Sequence, residues 1–331
     1  MEIGLLFTFR NPPPWARPAA DLYRDTMEEI ALADRLGFDG IWLAEHHFTD
    51  DGWSPSPLTM AAAVAMRTER ARIGTFVLLL PQHDPLRVAE AATAVDILSG
   101  GRLTLGVGIG YRASEETPVG LLPSDRGSRM DEGLEVLVRC LQQERVDFDG
   151  RWYHLEDVVM TPRPVQQPRP PILTAGLGQR ALDRSVRLGC DGLAIHPPRE
   201  AYDRYVEILE RHGQDPSRQR FATIVLGYAG SSDDGAWEAV GPHAGWIWDH
   251  YRTWLLASGE ANLFSNGARE DFIIGSPQRW IETIGGMLAA NPGVPCHHLV
   301  VELVMAGMSH ADRRRGIEYF ASEVLPGLRL L

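Results

Sequence analysis

The sequence predicts an α/β fold of the (β/α)8 TIM-type barrel class, a single domain over residues 1–331 with insertions after strand 4 and strand 7. Three observations carry this. Apolar runs of strand length alternate with helix-length segments along most of the chain. One run, Ile73–Leu80, is so uniformly apolar that both of its faces must be covered, as in a parallel sheet. The stretch Gly40–Phe48, Gly-Ile-Trp-Leu-Ala-Glu-His-His-Phe, passes from apolar residues into an acid and two histidines. A buried strand reaching the polar edge where parallel folds keep their chemistry reads this way.

The elements follow in order. Ile3–Phe7 is the first strand, and the rigid Asn11-Pro-Pro-Pro-Trp15 follows it. A helix from about Asp21 to Leu36 turns Leu22, Ile30, Ala33 and Leu36 toward a core, and Gly37 is placed to end it. The Gly40 strand comes next, then a short helix over Thr59–Met66. Pro81 stops the Ile73–Leu80 strand, a helix covers Leu86–Leu98, Ser99-Gly100-Gly101 turns the chain, and Leu103–Gly108 is the fourth strand. Between Tyr111 and Pro171 the rhythm slackens into a polar loop, a helix near Ser128–Gln143 and a hairpin at Asp149-Gly150, which reads as an insertion. Alternation resumes with Ile172–Ala175, a helix through Val186, Gly192–Ile195, a helix over Arg199–Arg211 and the strand Phe221–Tyr228. A region rich in tryptophan and histidine, Ala236–Phe272, forms the second insertion. Ser276-Pro277 then opens a helix, His298–Val304 is the eighth strand, and a helix over about Ala311–Val324 closes the sequence.

Composition narrows the function classes. A hydrophobic fraction of 44% and a charged fraction of 23% are those of a soluble globular protein. The formal net charge of −12 argues against nucleic acid or an anionic membrane as partner. No apolar stretch is long enough to span a bilayer, and Met-Glu-Ile-Gly-Leu-Leu-Phe lacks the basic start of a signal peptide. Cys140, Cys190 and Cys296 are odd in number and form no CxxC, so a reducing, cytoplasmic setting is expected. The chain contains no lysine, which excludes Schiff-base and Walker-A chemistry.

Gly106-Val-Gly-Ile-Gly110 spells GxGxG, and polar, proline-containing sequence follows where a dinucleotide-binding helix should begin. It reads as a loop approached closely by a ligand, or as glycines serving a tight barrel rim. Gly176-Leu-Gly178, with Gln179 and Arg180 in the following helical turn, reads as a phosphate site or as an ordinary turn. Neighbouring strand residues point to opposite faces, so His46 and His47 do not converge on one ion; no metal is expected there or at His297-His298. Trp246, Trp248, His250, Tyr251 and Trp254 fall at near-helical spacing and read first as core or an oligomer surface, second as a hydrophobic substrate pocket.

Several blocks in order carry a resemblance: Gly37-Phe-Asp-Gly-Ile-Trp-Leu-Ala-Glu-His-His-Phe48, Ile73-Gly-Thr-Phe-Val-Leu-Leu-Leu-Pro81, His83-Asp-Pro85, Asp96-Ile-Leu-Ser-Gly-Gly-Arg-Leu-Thr-Leu-Gly-Val-Gly108, Gly189-Cys-Asp-Gly192 and Ile274-Gly-Ser-Pro277. With them the chain resembles the bacterial-luciferase-like flavin-dependent monooxygenases. The resemblance implies a flavin at the C-terminal mouth of the barrel. It implies oxygenation of a small organic substrate by O2 and externally reduced FMN through a C4a-peroxyflavin, with a separate flavin reductase and a homodimer. His46 matches the family histidine at the reactive edge of the flavin, and Glu45 would orient it or shape the pocket. Phe76–Val77 falls where relatives carry a non-prolyl cis peptide beneath the ring. Gly108, Ile109 and Gly110 would flank the ring or ribityl chain, while Ala175, Gly176, Leu177, Gly178 and Arg180 would surround the phosphate. The luciferase catalytic subunit has an arginine where this chain has Ile109, and an acid and a serine where it has Gly176 and Leu177. The glycine-rich version is similar to the branch that uses a deazaflavin coenzyme for hydride transfer. That reaction is the alternative expectation, and a non-catalytic flavin-binding partner subunit is the second.

Overall fold

The computed structural model describes residues 1–258, 266–303 and 306–331. Its strands are β1 (Glu2–Phe7), β2 (Gly40–Leu43), β3 (Arg72–Thr75), β4 (Leu78–Leu79), β5 (Leu103–Gly108), β6 (Arg145–Asp149), β7 (His154–Val159), β8 (Ile172–Thr174), β9 (Gly192–Leu193), β10 (Arg220–Ala229), β11 (Ile273–Gly275) and β12 (His298–Glu302). They pair in the order β12-β1-β2-β3-β5-β8-β9-β10, and β10 returns to β12. The ring is therefore closed, with β4 beside β5 and β11 added outside it on β10. This is the expected eight-stranded parallel barrel, since β3 and β4 are two pieces of one strand course. Both insertions stand where they were expected. The first holds the helix Arg126–Gln142 and the antiparallel hairpin β6–β7. The second holds the helices Asp233–Ser258 and Ala268–Asp271.

Local chemistry sets the element ends. The Asp84 carboxylate accepts from the backbone N–H groups of Leu86 and Arg87 and starts the helix Pro85–Ser99, and Gly100 ends it at φ 66°. Ser276 caps the helix Pro277–Ala290, as its Ser-Pro start predicts.

Several boundaries differ from the sequence reading. The Ile73–Leu80 run is broken at Phe76–Val77, whose peptide bond is cis. The Gly40 strand stops at Leu43, so Glu45, His46 and His47 lie in the loop beyond it. Leu36 is 36% exposed: it is the last helical residue before Gly37 turns the chain at φ 91°, while Leu22, Ile30 and Ala33 are buried. The three-residue strand β11 had no sequence signal of its own. Residue 304 of the predicted eighth strand and residues 259–265 of the tryptophan-rich region lie outside the described residues.

The chain divides into two compact units. The first comprises Met1–Trp42, His46–Pro55 and Ala222–Leu331; the second comprises Leu43–Glu45 and Ser56–Phe221. In the first, a core cluster of Ala236, Val240, Ala244, Ile247, Phe272 and Ile274 carries Trp246, Trp248 and Tyr251 against it. Those rings are half-buried and pack on the core without being enclosed by it. In the second unit, Leu182, Val186, Leu193, Tyr205, Ile208 and Phe221 pack together. Among the described residues no helix is long and apolar enough to cross a membrane.

Candidate active site

In the first unit the site grows from the C-terminal ends of β1, β2 and β12. The chain leaving β1 and the loop after β2 run side by side: the Ser54 N–H donates to Thr8 O at 3.0 Å and the Asn11 N–H to Asp51 O at 2.7 Å. These bonds bring Arg10 to Asp51, and the guanidinium Nε–H donates to the buried carboxylate. Burial alone would raise the Asp51 carboxyl, but the charge and hydrogen bond of Arg10 overrule it and hold it below the ordinary carboxylate range. Four rings surround the Arg10 guanidinium, with centroids at 4.2 Å (Trp53), 4.7 Å (Trp246), 5.8 Å (Trp254) and 5.9 Å (Tyr251). His46, 8% exposed, meets the same wall, edge-on to Trp53 at 4.5 Å and tilted against Trp254 at 5.2 Å.

Glu302 ends β12 and is fully buried. Neither of its carboxylate oxygens has a hydrogen-bond partner among the described residues. Loss of solvent pushes its carboxyl up to about 7; the positive charge of Arg10 pulls down and the negative charge of Asp51 adds to the rise. Arg10, Asp51, Trp53 and Glu302 were not singled out from the sequence. The signal existed: Arg10 and Glu302 follow apolar strand runs just as Glu45 and His46 do. His298, by contrast, opens β12 at its other end and pairs with Glu2 at 2.9 Å.

In the second unit the predicted cofactor residues gather on the ends of β4, β5 and β8. A side chain at Gly106 would collide with the Thr75 carbonyl, and a Cβ at Gly108 would meet Val77 at 2.5 Å and Ala175 at 3.6 Å. Here glycine is required for close packing rather than for a positive φ. Gly110 and Gly176 do adopt positive φ, 80° and 116°. Ile109 is half-buried, and Leu177, also half-buried, packs onto the core cluster of Leu182 and Val186. Gly178 precedes the helix Gln179–Arg187, whose first N–H groups lack partners within the helix, and Arg180 is exposed in that first turn. Arg112, a second arginine near this rim, is paired with Glu115 at 2.5 Å.

Glu45 is also in this unit. Its carboxylate accepts from the Leu79 N–H at 2.7 Å and contacts His83 Nε2 at 2.6 Å, so it braces the turn after β4.

A flavin fits this rim on the chemistry of its donors. Thr174 Oγ1 and both polar atoms of the Gln82 side chain are buried without hydrogen-bond partners among the described residues. A Cβ at Gly110 would stand 3.5 Å from Gln82 Nε2. Orphaned polar atoms beside a glycine rim and an open helix N-terminus suit a ring rich in heteroatoms and a phosphate.

Comparison with known proteins places this geometry. The chain is 28% identical to 4-hydroxyprotoasukamycin monooxygenase of Streptomyces nodosus subsp. asukaensis over 93% of this chain and 87% of that one. It is 33% identical to the F420-dependent glucose-6-phosphate dehydrogenase of Amycolatopsis mediterranei over 46% and 48% of the two chains. Against two Sinorhizobium fredii proteins, 34% and 38% identical, the match spans only 63% and 44% of their lengths. The crystal structure of monooxygenase RslO1 from Streptomyces bottropensis superposes with a TM-score of 0.85 at 25% identity, covering 98% of this chain and 99% of that one. A closed parallel barrel with glycine-rich strand ends agrees with the match, over residues 1–283, to the model of the luciferase-like monooxygenases, and the chain belongs to that family.

Proposed function

We propose that the protein is a flavin-dependent monooxygenase that takes FMN reduced by a separate reductase and oxygenates a small organic substrate with O2. The observation that carries this reading is His46, buried edge-on against Trp53 and Trp254 in an aromatic wall. Oxygen chemistry at a reduced flavin needs proton control with water kept out, and a histidine walled by indoles offers both. The full-length likeness to a named monooxygenase supports it.

Phe76, Val77, Gly108, Ile109 and Gly110 would hold the ring and ribityl chain. Ala175, the Gly176–Gly178 backbone and Arg180 would hold the phosphate. The bound flavin would supply the two electrons and the reaction with O2. His46 would manage the proton at the flavin edge, and Glu45, through His83 and the Leu79 N–H, would keep the rim in shape. A cytoplasmic homodimer completes the reading.

One observation favours a second reading, hydride transfer with a deazaflavin: the phosphate rim is glycine-rich, and Arg180, its only arginine in the helical turn after Gly178, is exposed. Titration with reduced FMN and with the deazaflavin, followed by O2 consumption and product analysis, tests the proposal. The expected result is O2 uptake with reduced FMN and oxygenated product, both lost in a His46→Ala variant that remains folded by circular dichroism. Tight deazaflavin binding with no O2 uptake would overturn it.

A further inference from the structure

We propose that Arg10 is a positioning residue for His46, acting through the Trp53 and Trp254 rings that the two side chains share. The catalytic meaning of this rests on the reading of His46 given above; the positioning itself does not.

Trp53 stands 4.2 Å from the guanidinium and 4.5 Å from the imidazole centroid, and Trp254 stands 5.8 Å and 5.2 Å from them. A cation held over a ring face attracts the ring through its quadrupole, and the attraction grows where water is excluded. Arg10 is 2% exposed, so its hold on the indoles is a dry one. The guanidinium is itself fixed: Asp51 accepts from its Nε–H, and the Asp51 backbone is tied to Asn11 at 2.7 Å. The order is thus Asp51 to Arg10, Arg10 to the indoles, and the indoles to the imidazole. Three of the four rings on Arg10, those of Trp246, Tyr251 and Trp254, come from the helix Asp233–Ser258 and the fourth, Trp53, from the loop after β2, so one side chain organises a helix and a loop far apart in sequence. Neutralising Asp51 alone would have required no aromatic surround.

The test uses the full chain labelled with 13C-histidine, the His46 signal being identified by its loss in His46→Gln. In Arg10→Met we expect the His46 resonance and its titration midpoint to move, and kcat with reduced FMN to fall on the order of 10²-fold with little change in KM. Arg10→Lys, which keeps the charge over the rings, should recover much of both. Should Arg10→Met fail to fold, the pair Arg10→Met with Asp51→Asn removes both buried charges together and carries the same expectation. A folded variant whose His46 resonance and titration match the wild type would overturn the proposal, as would Arg10→Lys behaving no better than Arg10→Met. If no variant or wild type turns over with reduced FMN, the functional reading fails while the resonance still decides the positioning.

Discussion

Replacing Glu302 with glutamine should stabilise the protein at neutral pH and leave it unchanged in acid. Folding raises this carboxyl from 4.5 to about 7, chiefly by removing solvent from it. Between those two values the folded chain holds a proton that the unfolded chain has released. Wild-type stability therefore falls as pH rises from about 4.5, by about 1.4 kcal/mol per pH unit for one group, and levels off above about 7. Over that interval the loss sums to about 3 kcal/mol. Glutamine copies the neutral acid in shape and cannot ionise, so Glu302→Gln escapes the loss. An unfolding entropy of about 2.1 cal/mol/K per residue over 331 residues gives about 0.7 kcal/mol/K, which turns this into a Tm gain of about 4 °C. Thermal scans of both proteins at half-unit steps from pH 5 to pH 8 check it. The two Tm values should nearly coincide at the acid end and separate as pH rises, the variant lying higher. A constant difference across the range would refute the reasoning. So would a wild type that gains on the variant as pH rises, since Glu302 would then be ionised and paired in the folded protein.

Other consequences are more local. Gly108→Ala pushes a methyl group to 2.5 Å from Val77 and should cost about 1–3 kcal/mol in urea unfolding, with weaker FMN binding in a fluorescence titration. Arg180→Ala removes an exposed side chain, so Tm should hold, while affinity for reduced FMN falls about tenfold and affinity for reduced riboflavin, which lacks the phosphate, does not. Glu29 is buried beside His310 at 2.7 Å and Arg313 at 3.1 Å; Glu29→Ala strands the buried guanidinium and should cost about 3–5 kcal/mol, read by denaturant unfolding.

How much of this was legible in the sequence depended on whether a feature is local. The strand Leu103–Gly108 and the helix Arg199–Arg211 were read to the residue because apolar periodicity and punctuation by glycine and proline are properties of a short window. The break at Phe76–Val77 was not legible from the window, which is apolar throughout; only the family resemblance pointed to that bond. Strand β11 exists because Gly227, Tyr228 and Ala229 offer it an edge, and three residues carry no pattern of their own. His46 was found by a local rule, an ionisable residue after an apolar run. The same rule fits Arg10 and Glu302, yet a charge after a strand is more often solvated, and nothing in either window shows that it is buried.

What distinguishes them is the closure that sets β12 beside β1, because it decides the protonation state of the cluster. A buried guanidinium can compensate one carboxylate. Asp51 and Glu302 both feel Arg10, so if both were ionised one negative charge would stand uncompensated away from water, a state that costs several kcal/mol. Geometry selects which acid keeps its charge: Asp51 accepts the Nε–H of Arg10, whereas Glu302 accepts no hydrogen bond from any described residue. Glu302 is therefore the acid that keeps its proton up to about pH 7, and its displacement, opposite to that of Asp51, follows from three side chains that only the folded barrel brings together.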